Sequence, residues 1–199
     1  MKSNICVLSN NKECLKNIFV ETEKALAYNN LAKQDALRLR LLAEEMVGLI
    51  SELIEDFEGE FWIENKGSKY RLYASLNVEY MDKSLKDKLL NLATNKKNRL
   101  AKGIKGKILS IFENIALSIS ENGAYIPSTI GYTPYEEYAD TYSYAWSLNE
   151  YKQDVKSSAD KANEWDELEK SIIANLADDV LVGVRKDKVE ILIIKKFAE

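Results

Sequence analysis

The first quarter of the chain repeats apolar residues with a helical period. Residues 12–28 and 33–55 each place apolar side chains three or four positions apart, which is typical of amphipathic helices. The stripe of the second segment consists of Leu39, Leu42, Met46, Ile50 and Leu53. A short apolar run at 5–8 predicts a strand before the first helix, and Ser9-Asn10-Asn11 supplies N-cap side chains between the two.

Four later segments predict two β-hairpins. Residues 60–64 and 70–76 are rich in aromatic and aliphatic side chains and are joined through Lys66-Gly67-Ser68. Residues 180–184 and 189–194 form a similar pair with a turn at 185–188, and a helix over 165–176 precedes them. This order predicts an α+β fold, a two-layer sandwich in which a mixed, mostly antiparallel sheet carries helices on one face.

Residues 83–164, between the hairpins, have a different character. Isoleucines at 104, 108, 111, 115 and 119 predict a helix, as do leucines from 85 to 92. Nine Lys or Arg against one acidic residue at 83–107 indicate a solvated helix face or a nucleic-acid surface. Seven of the 11 tyrosines follow at 124–164, and they indicate either a helix docked on the core or a binding surface.

Composition narrows the possible classes of function. The formal net charge of -4 argues against a dedicated nucleic-acid binder, and no apolar run is long enough for a membrane span. The chain has no histidine, and Cys6 and Cys14 have no metal-ligand spacing, so histidine catalysis and a structural zinc site are not expected. We expect one cytoplasmic domain over 1–199, with 83–164 as a helical and tyrosine-rich insertion.

Three segments of the chain resemble parts of a known superfamily. Residues 41–50 read Leu-Leu-Ala-Glu-Glu-Met-Val-Gly-Leu-Ile, and residues 58–63 read Glu-Gly-Glu-Phe-Trp-Ile. Together they resemble the conserved helix and following hairpin of the histidine-kinase-like ATPases, which include gyrase, Hsp90, histidine kinases and MutL. The acidic pair Asp178-Asp179 before the last two strands resembles the pattern of bacterial anti-sigma-factor serine kinases. The resemblance covers about 5–80 and 165–197, with 83–164 as an enlarged lid region in a Bergerat-type fold.

The resemblance implies a nucleotide site that this chain retains only in part. Glu44 matches the family's catalytic base, whereas Gly48 stands where the family has a magnesium-binding Asn. Asn77 is the candidate partner for adenine at the end of the first hairpin. The family's glycine-rich phosphate loop corresponds here to residues 163–169, which contain four carboxylates and no glycine.

These departures predict a non-catalytic regulatory or protein-interaction domain built on a degenerate ATPase fold, without a cofactor. Its partner is expected to be a protein of unspecified identity, and the oligomeric state is unspecified. The alternative is an ATP-binding serine kinase or ATPase that uses Glu44 as its base and binds ATP and Mg²⁺, with Gly48 and Asn77 in the nucleotide site.

Overall fold

The computed structural model describes residues 1–54, 56–77, 104, 106–108, 110–112, 143–158, 161–185 and 188–198. Six strands form one sheet, and their bounds are β1 (Cys6–Ser9), β2 (Glu58–Lys66), β3 (Lys69–Asn77), β4 (Ser143–Ser147), β5 (Asp179–Arg185) and β6 (Lys188–Lys196). The helices with both ends described are α1 (Lys12–Tyr28), α2 (Lys33–Leu53), α3 (Leu148–Ser157), α4 (Ala162–Lys170) and α5 (Ile172–Leu176).

The strand order is β1-β2-β3-β6-β5-β4, and every pairing among these strands is antiparallel. The sheet is therefore antiparallel rather than mixed, because none of its described pairings is parallel. The two hairpins are joined by β3 and β6, whose nine residue pairs run from Lys69–Lys196 to Asn77–Lys188. Both expected hairpins are confirmed, in one sheet.

Local sequence explains where the first elements begin. The Asn11 side chain accepts a hydrogen bond of 2.8 Å from the Glu13 backbone N–H, which caps α1 as the asparagine pair predicted. The β2–β3 turn has Gly67 at φ 60°, and Ser68 lacks a positive φ. That combination is typical of a two-residue II′ turn, in which glycine occupies the first central position at little steric cost.

All the described helices contribute to one core on one face of the sheet. Alternation along the strands directs Phe61, Leu72 and Ile191 into this core, where they meet the buried stripe of α2. Helix α2 also packs against α1 and α5 on this face. Ile104, Ile108 and Phe112, from the predicted isoleucine helix, are buried in the same core.

The opposite face of the sheet holds a second buried apolar cluster. Its residues are Trp62, Tyr73, Leu181, Leu192 and Ile194. Trp62 and Tyr73 stack with ring centroids 4.8 Å apart. Ser75 and Glu190, paired in the β3–β6 ladder, lie beside this cluster and are also buried. The sheet is thus shielded on both faces, although no described helix contributes to the second cluster.

Two features of the C-terminal half differ from the expected elements. The single helix expected over 165–176 is wrong, because Ser171 ends α4 and its hydroxyl accepts the Ala174 N–H at 3.3 Å to start α5. The hydroxyl at that position competes with continuous helix. Strand β4 and helix α3, which were not expected as elements, lie inside the block 83–164.

Several sequence predictions fall outside the described residues. They are the helix at 85–92, the positions Ile115 and Ile119, the tyrosines from Tyr125 to Tyr142, and most of the basic block at 83–107. Among the helices that are described, none is long and apolar enough to cross a membrane.

Asp179 connects α3 to the sheet through hydrogen bonds. Its buried carboxylate accepts hydrogen bonds from the Ser147 hydroxyl at 3.1 Å and from the Asn149 backbone N–H at 3.1 Å. It also accepts the Val180 N–H at 2.8 Å. One side chain therefore joins the start of β5 to the junction between β4 and α3, and satisfies an otherwise unbonded donor at the helix N-terminus.

Replacing Asp179 should destabilise the protein. We expect Asp179→Ala to lower the free energy of unfolding by about 1.5–3 kcal/mol, since buried donors lose a charged acceptor. Urea denaturation followed by circular dichroism measures the change. Asp166→Asn, at an exposed position of α4, is the control and should be nearly neutral. Equal stability of Asp179→Ala and the unaltered protein would contradict this role.

Candidate functional site

Glu44 lies on the half-exposed side of α2, in an ion-paired cluster with its neighbours. The Arg40 guanidinium contacts the Glu44 carboxylate at 2.9 Å through Nε and the Glu23 carboxylate of α1 at 2.8 Å through Nη1. The hydrogen bond to Glu44, with the charges of both carboxylates, raises the pKa of Arg40. The Glu44 side chain is 38% exposed to solvent, so the cluster lies at the surface where α1 and α2 meet.

Gly48 lies one turn after Glu44 on the same side of α2. A Cβ added there would have nothing within 4 Å. A glycine inside a helix indicates either close packing against another helix or room for a ligand, and within the described part of the chain no element packs closely against Gly48. The other explanation, room for a ligand, agrees with the open space, although glycine itself contributes no ligand atom.

Asn77 is the last residue of β3 and pairs with Lys188 of β6. Leu76 belongs to the core beneath the helices, so alternation assigns Asn77 to the opposite face of the sheet. The structure thus brings Glu44 and Gly48 together on α2, whereas Asn77 lies across the sheet from them. The residues that follow Asn77 lie outside the described residues.

The start of α4 is the segment that the sequence resemblance compares with a phosphate loop. Its N-cap residue, Lys161, makes no side-chain cap, and Glu164 lies in the first turn. The Glu164 carboxylate accepts a hydrogen bond of 2.7 Å from the Tyr151 hydroxyl, and this contact joins α4 to α3. The helix N-terminus is thereby complemented by a carboxylate of the chain itself, which would repel a phosphate group.

A second charged cluster surrounds the acidic pair Asp178 and Asp179 at the start of β5. The Asp178 carboxylate accepts hydrogen bonds from Lys195 Nζ at 3.0 Å and from the backbone N–H of Lys196. Lys152 of α3 donates a bond of 2.6 Å to the Ala174 carbonyl. Burial lowers the pKa of Lys152, while the nearby charges of Asp179 and Asp178 oppose that shift. These contacts link α3, α5, β5 and β6, and each has a structural purpose.

Sequence reasoning missed two of these features, although the sequence carries a signal for each. Arg40 precedes Glu44 by four residues, a spacing that pairs charges on one helix face. Ser147 and Glu150 have the Ser-x-x-Glu spacing of a capping box, which marks the start of α3. Nothing local in the sequence indicates that Asp179 completes this cap, because the contact spans 32 positions of the chain.

The donor groups described so far do not assemble a metal site. Within the described part of the chain, no three Cys, Asp or Glu side chains lie close enough to hold a cation. Comparison with known protein families finds no family that matches this chain, and a search of curated proteins finds no similar protein. The site must therefore be judged on its own geometry.

Two glycine substitutions should have opposite effects on stability. Gly48→Ala should raise the free energy of unfolding by about 0.5–1 kcal/mol, because alanine favours the helix and meets open space. Gly59→Ala should lower it, by roughly 1–3 kcal/mol, since the new Cβ would lie 2.2 Å from the Ser75 carbonyl oxygen on β3. Thermal and urea denaturation of the two variants provide the measurement. A loss of stability in Gly48→Ala would show that this side of α2 is in fact closely packed.

Proposed function

We propose that this protein is a non-catalytic regulatory or protein-interaction domain built on a degenerate histidine-kinase-like ATPase fold. The observation that carries the proposal is the pair of positions on α2 that would have to bind and activate a nucleotide. Glu44 is engaged by Arg40, which also binds Glu23, and Gly48 has no side chain to hold magnesium. A carboxylate that acts as a general base must be free and directed at the attacking group. Phosphoryl transfer from a triphosphate also needs a Mg²⁺ ion held in position.

The surroundings of α4 support the same proposal. A triphosphate needs backbone N–H groups and positive charge at a helix N-terminus. Here Glu164 occupies the first turn and is held by Tyr151. The arrangement of helices on one face of an antiparallel sheet supports the Bergerat-type assignment, which stays a proposal together with its relation to anti-sigma-factor kinases.

A second candidate function is ATP binding with Glu44 as the base. It is favoured by the open space beside Gly48 and by the position of Glu44 one turn away on the same side of α2. In that case Arg40 would have to release Glu44, or remain as a positive charge near the phosphates. Both groups are partly exposed, so the ion pair between them contributes little stability that would oppose such a change.

Thermal denaturation with and without Mg-ATP separates these functions. A ligand present at one hundred times its dissociation constant stabilises the folded state by about 2.7 kcal/mol. For a domain of this size that is a rise in melting temperature of about 5–10 °C. We expect no change in the melting temperature at millimolar Mg-ATP, with Mg²⁺ alone and ATP alone as controls.

Variants of the same two residues sharpen this test. Gly48→Asn restores an amide oxygen, but we expect no ATP hydrolysis from it, because the start of α4 still lacks a phosphate loop. A melting temperature raised by Mg-ATP in the unaltered protein, together with turnover that Glu44→Gln abolishes, would establish the second candidate and overturn the first.

A further inference from the structure

Strand β1 is an open edge of the sheet. Among the described strands its only neighbour is β2, and the pairing runs from Cys6–Phe61 to Ser9–Glu58. The preceding residues continue alongside β2, since the Ser3 N–H donates to the Ile63 carbonyl at 2.8 Å. An edge strand presents backbone N–H and C=O groups that can pair with another strand.

This edge is short, with four residues in β1, but it lacks two of the usual protections against pairing. Natural edge strands carry charged residues or proline, which prevent contact with other chains. Residues 3–11 of this chain contain neither a charged side chain nor a proline. The neighbouring charge, Lys2, is bound to Glu64 of β2 at 3.3 Å and lies 4.6 Å from the centre of the Trp62 ring. The Lys2 side chain therefore lies toward β2 and does not protect the open side of the edge.

The edge also exposes apolar side chains. Ile5 is 55% exposed and Val7 is 57% exposed, whereas Trp62 on β2 is only 8% exposed. Both exposed residues are β-branched and lie two positions apart, so they share one side of the strand. Apolar side chains on this face are therefore buried at the centre of the sheet but exposed to solvent at β1.

We propose that β1 pairs with β1 of a second copy of this chain, antiparallel and about a twofold axis at Cys6. In that register Ile5 of each copy lies opposite Val7 of the other copy, and Lys2 lies opposite Asn10. No like charges meet along the paired strands, although each copy has a net charge of -4. A twofold contact is self-complementary and closes the open edge of both copies at once.

Charges on α1 fit the same arrangement. Glu21 reaches the edge, where its carboxylate accepts a hydrogen bond of 3.0 Å from Asn4, and it also binds Lys24 at 2.5 Å. The rim of α1 beside β1 thus carries one acidic and one basic side chain. In a twofold dimer these side chains add no net charge to the contact, because the Glu21 carboxylate is already paired with Lys24 of its own chain.

The oligomeric state and its response to a charge on the edge test the proposal. Sedimentation velocity of the full chain, from micromolar to several hundred micromolar concentration, should show a monomer–dimer equilibrium. Val7→Lys should raise the dimer dissociation constant by about tenfold or more, because a charge would be brought into the apolar pairing. Leu37→Lys is the matched control, since Leu37 is 58% exposed on α2, and it should leave the constant unchanged.

Ile5→Lys provides a second variant with the same expected effect, and circular dichroism verifies that each variant is folded. A chain that stays monomeric at every concentration would overturn the proposal, as would a dimer that resists both edge variants. Neither result depends on nucleotide, so the thermal test with Mg-ATP can fail or succeed independently of this one.

Discussion

The ladder between β3 and β6 is the constraint on which the rest of the structure depends. It joins two hairpins that are separated by more than a hundred positions in the chain, and it continues over nine residue pairs. Only this pairing makes one sheet out of two hairpins, each of which would be only marginally stable alone. The sheet then offers a surface wide enough for α1, α2 and α5 to bury their apolar stripes together.

Polar side chains complete the assembly at the points where backbone groups would otherwise lack partners. Asp179 binds the start of α3, Asp178 binds β6, and Lys152 binds a carbonyl at the end of α5. The acidic pair at the start of β5, Asp178 and Asp179, which suggested a family of kinases in the sequence, thus makes structural contacts here. A short motif at a strand end can satisfy the demands of the fold without any catalytic role.

The two proposals concern different parts of the molecule. Glu44 of α2 is held in a surface ion-pair cluster, and the first turn of α4 carries Glu164. The open edge at β1, by contrast, has exposed apolar residues and no charge to prevent pairing.

The sequence by itself determined the elements that local patterns define. The periodic stripe of α2, the asparagine cap of α1 and the glycine turn between β2 and β3 are all legible from neighbouring residues. Glu44 and Gly48 also lie on one side of α2, as their spacing of four required. Tertiary structure decided what local patterns leave open: the contact of Arg40 with Glu23 of α1, the position of Asn77 across the sheet, and the attachment of α3 through Asp179. These depend on contacts between distant parts of the chain, and such contacts leave no periodic signal in the sequence.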